Sequence, residues 1–267
     1  MFKRLSIVAL SFFFLLITSC NDASDEKGQP SPSVNSKEGL KELIKKYPDS
    51  LLLVQNLIEL YRNEGSYDTA LSLTDEQIKK DSGNAFLWDM KATLYFENGD
   101  TANTIKSLEN TVNIYPMPEY LIALGTVYAE VKNPKSLLIA DDLLKNNKAK
   151  SGKDAMFIKG LYYTYSGDKK KAIALFDSCI RLDYTYMFAY REKAIALYEQ
   201  GKYEEALKVL ERAVTIQNNF DEAYYWMGNC YKKLNKKDEA IQSYHTALMY
   251  DKDFIEARDS LKTLESQ

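Results

Sequence analysis

Three stretches of 34 residues follow one another without a gap: KDAMFIKGLYYTYSGDKKKAIALFDSCIRLDYTY (153–186), MFAYREKAIALYEQGKYEEALKVLERAVTIQNNF (187–220) and DEAYYWMGNCYKKLNKKDEAIQSYHTALMYDKDF (221–254). Each reads as a helix of apolar period, a short turn carrying Gly or Asn, and a second helix. Extending the register towards the N-terminus gives 118–152, 85–117 and 51–84, six units in all. A period of this size marks a solenoid, in which each unit buries its apolar face only on its neighbours. The expected fold class is all-α, built from antiparallel helix pairs.

Numbered from the first residue of each unit, position 8 is Ile58, Ala92, Gly125, Gly160, Ala194 and Gly228. Position 11 is Tyr61, Tyr95, Tyr128, Tyr163, Leu197 and Tyr231, and position 20 is Ala70, Thr104, Leu137, Ala172, Ala206 and Ala240. Where helices cross closely the side chains must be small, while large residues at positions 4, 7, 11 and 24 fill the space beside each crossing. Gly65, Gly99, Gly167 and Gly201 end first helices as C-caps, with Asn235 in the same place in the last unit. The third unit diverges, with Lys132-Asn133-Pro134 at its turn and Asp141 at position 24, where an apolar group is expected.

These units resemble the tetratricopeptide repeat, whose pattern is W-x₂-L-G-x₂-Y…A-x₃-F…P. The resemblance implies a right-handed superhelical solenoid of six units. Half-units at 37–50 and 255–267 match capping helices that shield the ends of such a stack. It also implies a concave groove lined by first helices at positions 2, 5, 9, 12 and 13. In the last three units those positions include Phe157, Tyr165, Phe188, Arg191, Tyr198, Tyr225, Asn229 and Lys232. Aromatics with Arg and Asn suit a protein or peptide partner. In the earlier units the same positions hold Gln55, Glu59, Asp89, Thr93, Glu97 and Glu130, so the groove is expected to run from acidic to aromatic. The carboxylate clamp of chaperone-binding members needs Lys and Asn at positions 5 and 9 of one unit; Asn229 stands here without a Lys at 225.

The front of the chain reads as an address. Lys3 and Arg4 precede an apolar run, Leu5–Ile17, too short for the roughly 20 residues of a membrane-spanning helix. Residues Ile17-Thr18-Ser19-Cys20 resemble the bacterial lipobox, which implies a signal peptide at 1–19 and lipid on Cys20. A polar, Pro-containing stretch (20–36) then serves as a flexible tether. Within it, Ser24-Asp25-Glu26 resembles a surface-export signal of some Gram-negative lineages. The expected location is the bacterial cell envelope, lipid-anchored, at the outer membrane on its periplasmic or surface face.

Composition narrows the chemistry. With 35 Lys+Arg against 38 Asp+Glu the formal net charge is −3, which disfavours nucleic acid as a partner. One His and 3 Cys cannot assemble a Cys/His zinc site readily, and no phosphate-binding Gly loop occurs. His245, Cys179 and Cys230 sit singly on repeat helices and are read as surface or packing residues. No catalytic residue, metal or cofactor is expected. The function so implied is that of a protein–protein adaptor or assembly scaffold, as in outer-membrane lipoproteins that the chain resembles. The other reading is a ligand-binding component of a glycan or peptide uptake system, because sugars stack on aromatic rings.

Overall fold

The computed structural model describes residues 36–266. The signal peptide, Cys20 and the tether up to residue 35 lie outside the described residues. Among the described residues there are thirteen α-helices. The first five are α1 (Lys37–Lys46), α2 (Leu51–Asn63), α3 (Tyr67–Lys80), α4 (Ala85–Glu97) and α5 (Thr101–Ile114). Then come α6 (Pro118–Glu130), α7 (Lys135–Ser166), α8 (Lys169–Leu182) and α9 (Met187–Tyr198). The last four are α10 (Tyr203–Ile216), α11 (Asp221–Lys233), α12 (Lys237–Tyr250) and α13 (Ile255–Glu265). The described residues up to Tyr120 form one compact unit and those from Leu121 a second. In each, helices pack on their neighbours in sequence, the all-α solenoid arrangement.

Local chemistry sets the ends of the helices. Gly65, Gly99, Gly167 and Gly201 have φ of +73°, +79°, +96° and +76°, and Asn235 has +57°. After Gly65, Gly99, Gly201 and Asn235 the carbonyl of position 11 accepts a bond from the residue that follows, as in Ser66 N–H to Tyr61 O (2.8 Å) and Lys236 N–H to Tyr231 O (2.9 Å). In the third unit Lys132 takes the left-handed place with φ +60° and Asn133 N–H bonds Tyr128 O at 2.8 Å. The divergent turn thus keeps the geometry without the glycine. Two of the second helices start on side-chain caps: Asp100 Oδ1 accepts from Asn103 N–H (3.0 Å) and Asp168 Oδ1 from Lys171 N–H (3.1 Å).

The third and fourth units join differently from the others. Residues 135–166 form one helical run, α7, so no extended residue separates the second helix of one from the first helix of the next. Elsewhere that separation falls on an extended residue such as Asp183, whose carboxylate accepts from Thr185 N–H at 2.9 Å. Yet Asp141 and Lys159, both in α7, form an ion pair at 2.5 Å. Residues 18 apart on a straight helix lie roughly 27 Å apart. The chain therefore turns back between them. We call residues 153–166 the second arm of α7.

Asp141 also corrects the register. Its ion pair with Lys159 repeats Asp75–Lys91 (2.5 Å) and Asp177–Lys193 (2.6 Å), which join position 25 of one unit to position 7 of the next. Asp141 thus takes position 25, not 24, and the second helix of the third unit runs in a register one residue earlier than the sequence suggested. Ser136, fully buried, takes position 20 in place of the half-buried Leu137, and Ala140 takes the apolar position 24.

The core of the second unit shows why position 8 is small. A Cβ added to Gly228 would stand 2.5 Å from Tyr244 Cε1, and one on Gly160 would stand 2.8 Å from Phe176 Cδ1. Phe176 and Tyr244, at position 24, are both fully buried.

Candidate binding surface

In the second unit α9 packs against α7 and α11 as well as against the second helices α8 and α10. First helices therefore lie side by side and present one continuous face. The residues expected to line a groove reach different depths on it. Tyr165, Phe188, Tyr198, Tyr225 and Asn229 are half-buried and Lys232 is exposed, so each keeps accessible surface. Phe157 does not: it is 1% exposed, wedged between Phe176 (5.8 Å between ring centroids) and Tyr186 (5.3 Å). Arg191 is 5% exposed. Both are corrected from partner-contacting to interior residues, because the facing chain covers position 5 here.

The accessible aromatics form one connected run. Tyr198 meets Tyr203 (5.2 Å) and Trp226 (5.4 Å) edge-on, and Trp226 meets Tyr225 (5.6 Å). Tyr225 in turn packs on Phe254 at 5.0 Å and on Tyr244 at 5.9 Å. Asn229 is held at its floor, its Oδ1 accepting from the Tyr244 hydroxyl at 2.9 Å. Trp226 was missed from sequence because it occupies position 6, beside the positions assigned to the groove. Rings supported by other rings give large contact area with little entropy to lose.

Beside this run lies a buried charged cluster. Arg191 Nε donates to Glu192 at 3.0 Å and Nη1 to Glu222 at 2.5 Å, and the guanidinium lies over the Phe188 ring at 5.1 Å. The two carboxylates hold Arg191 charged despite burial that opposes it. Burial also raises the pKa of Asp154 and of the Tyr186 hydroxyl beside it. Lys153 points to Asp183 at 2.5 Å and holds that carboxylate down at about 2.

In the first unit the acidic residues are less free than composition suggests. Arg62 Nε donates to Glu97 at 2.7 Å and its Nη1 lies 2.9 Å from a Glu59 oxygen, so one guanidinium serves both carboxylates. Asp89 is 2% exposed, and its Oδ1 has no hydrogen-bond partner. Burial pushes its carboxyl up to about 7. Gln55 and Thr93 are half-buried and Glu130, on α6 of the second unit, is 8% exposed.

The single residues set aside from chemistry sit as packing and surface groups. Cys179 is buried, its Sγ donating to Lys153 O at 3.0 Å, and burial pushes the Cys230 thiol up to about 12. Thiols with raised pKa are poor nucleophiles at neutral pH. The His245 side chain is 60% exposed, with Nε2 3.7 Å from Glu265. Among the described residues no group of three His, Cys, Asp or Glu side chains is placed to hold a metal ion, and no helix is long and apolar enough to cross a membrane.

Comparison with known proteins meets this geometry. Models of the tetratricopeptide repeat match residues 154–186, 194–235 and 221–254. The STIP1 homolog of Dictyostelium discoideum is 34% identical over 90 residues, 31% of this chain and 16% of that protein. A TPR repeat-containing protein of Methanocaldococcus jannaschii is 28% identical over 119 residues, 43% of this chain and 37% of its own length. The chain thus spans well under half the length of these relatives. Among solved structures, a tetratricopeptide repeat protein from Parabacteroides merdae superposes with a TM-score of 0.72 at 20% identity, over 86% of this chain and 91% of that one. The pilus biogenesis factor PilW superposes at 0.60 with 16% identity, over 80% and 97%. At such identities the likeness is one of fold. Repeats of this kind are scaffolds for protein–protein interaction. The chain is a tetratricopeptide repeat protein.

Proposed function

We propose that the protein is a non-enzymatic adaptor of the bacterial cell envelope, anchored by lipid on Cys20, that captures another protein or peptide on the first-helix face of its last three repeats. The observation that carries the reading is the connected run Tyr198–Trp226–Tyr225, which keeps accessible surface on that face and is backed by the buried rings of Tyr244 and Phe254. Lys232 at its edge and Asn229 in its floor add donors that orient a partner's main chain.

Position-specific photocrosslinking tests the surface without disturbing the core. A photoreactive residue in place of exposed Lys232, or of Tyr198, yields adducts with a discrete partner in cells. The same residue in place of Lys208, exposed on α10, yields none. Equal crosslinking from all three sites overturns the assignment of the face.

The anchor rests on the run Leu5–Ile17 and the residues Ile17-Thr18-Ser19-Cys20. One acyl chain binds a membrane only marginally and two or more hold it. Cys20→Ser therefore leaves unprocessed precursor and abolishes labelling by a fatty-acid analogue; persistent labelling contradicts the lipid assignment.

A further inference from the structure

Among the described residues eleven large apolar side chains are exposed, and nine of them stand where one helix pair passes to the next. The other two, Val131 and Leu138, flank the turn of the third unit. Antiparallel pairing puts these junctions at one end of the helices and the turns within pairs at the other. In the first unit Arg62 Nε donates to Glu97 at 2.7 Å, which joins the last turns of α2 and α4 and sets the two helices parallel. The junction edge of that unit carries Tyr47, Leu52, Ile114 and Tyr115, and more than half of Tyr47, Leu52 and Tyr115 is exposed. The core does not use them: Val54, Ile58, Ala70, Leu71 and Leu94 pack together inside. Exposed Lys45 and Lys46 end α1, and exposed Lys79 and Lys80 end α3. Lys46 Nζ lies 5.4 Å from the centre of the Tyr47 ring. Asp49 and Asp81 stand among these lysines, so apolar surface and not net charge distinguishes the edge.

We propose that the junction edge of the first unit rests on a lipid surface, the same one that holds the lipid of Cys20. The contact builds on the anchor proposed above. Ser36 caps α1, whose ten residues set Tyr47 about 15 Å from the cap. The sixteen residues from Cys20 to Ser36 span at most about 55 Å, enough to bring the edge down to the surface. A linkage this short gives an effective concentration on the order of mM, so a contact too weak to hold a free partner is still made. The form of the edge favours lipid over protein. Its apolar side chains come in two pairs, parted by the polar junction Asp81-Ser82-Gly83-Asn84, whereas protein hot spots cluster in packed pockets. A second copy would cover only these four side chains, well under the roughly 800 Å² that a stable interface buries on each partner. A lipid surface needs no matching pocket. Tyrosine offers it an apolar ring and a polar tip, as in interfacial belts, and the lysine stems carry their charges up to the headgroups. With its helix ends on the membrane the first unit leaves its first-helix face open at the side.

Lipid photocrosslinking tests the contact on the chain from Cys20 onward, coupled through the Cys20 thiol to a maleimide lipid. The vesicles are of phosphatidylcholine and phosphatidylglycerol and include a phospholipid with a diazirine in its acyl chain. Peptides holding Tyr47–Leu52 and Ile114–Tyr115 take up lipid, and the peptide holding Asn98, exposed at the opposite end of α4, does not. Replacing Tyr47, Leu52 and Tyr115 together by Ser lowers the yield at least about tenfold, since half-burying each such side chain contributes toward a factor of that size. Equal labelling at Asn98, or no labelling at the two junctions, overturns the contact, and the unaltered chain alone decides this. So does an unchanged yield in the triple variant. A dimer that forms without vesicles and dissociates in the triple variant gives the edge to a second copy and overturns it too. Thiol coupling replaces the cell's own lipidation, so failure of the anchor appears only in fatty-acid labelling and is told apart from failure of the edge.

Discussion

Replacing Gly160 by Ala lowers the stability of the second unit by about 1–3 kcal/mol, and adding Phe176→Leu restores most of the loss. The sign is opposite to that for an ordinary helix interior, where Gly→Ala gains up to about 1 kcal/mol. Here the new methyl meets the ring of Phe176, whose Cδ1 and Cζ would lie 2.8 and 2.9 Å away. Phe176 is fully buried and flanked by Phe157 at 5.8 Å, so it has nowhere to move. The rescue is suggested by the chain's own repeats. Positions 8 and 24 hold Ala92 with Leu108, Ala194 with Leu210, and Ile58 with Thr74; glycine stands opposite the rings, as Gly160 with Phe176 and Gly228 with Tyr244. In these five units the larger one member is, the smaller the other, as close packing demands; the divergent third unit pairs Gly125 with Ala140, and Gly125 faces Ile158 and Ile139 instead. Thermal unfolding followed by circular dichroism of the two single variants and the double gives the coupling. Additive losses show that the pair does not share one volume. A double variant close to the parent shows that it does.

That volume trade was half legible in the sequence. The period of 34 and the small residues at position 8 could be read directly, because a repeat prints each steric rule several times. The aromatic at position 24 was seen as filler, but its pairing with glycine needs the two helices face to face. The register slip in the third unit has a similar origin. Asp141 looked like a polar group in an apolar place until Lys159 showed it to be the partner in an ion pair that recurs between units. For the binding surface, position in the repeat told which face a residue is on and not how deep it lies. Phe157, Arg191 and Tyr225 all hold position 5, yet the first two are interior and Tyr225 is half-buried. Depth depends on what the next unit brings across, such as Tyr186 over Phe157 or Glu222 against Arg191. Glu222 was a signal within reach: a carboxylate one repeat on from Phe188, beside the only Arg assigned to the groove.

Asp89→Asn stabilises the first unit, and does so more the higher the pH. Asp89 lies on α4, 2% exposed, with Oδ1 unbonded, and burial raises its pKa to about 7. Its charge is felt by the phenol of Tyr120, whose own pKa is raised first by burial and then by Asp89. No salt bridge compensates it; Lys91, two residues on, is given to Asp75 at 2.5 Å. A carboxyl with a raised folded pKa holds its proton more tightly in the fold than in the unfolded chain. Its stabilising share is therefore complete below the unfolded value of about 3.9, falls as pH rises from there, and is gone above about 7. A shift of about three pH units corresponds to something on the order of 4 kcal/mol. Asparagine keeps the shape and has no proton to lose. The variant then matches the parent near pH 4, gains steadily through pH 5 and 6, and reaches its full advantage from about pH 7.5 upward. Trp88, whose indole N–H bonds Ser82 O at 3.0 Å in the adjoining turn, reports on this unit by fluorescence once Trp226 is replaced by Phe. Denaturant unfolding at pH 5 and pH 8 separates the two contributions of the substitution. A gain that grows by a few kcal/mol between them is the ionisation of Asp89, and a gain equal at both would place the effect in packing instead.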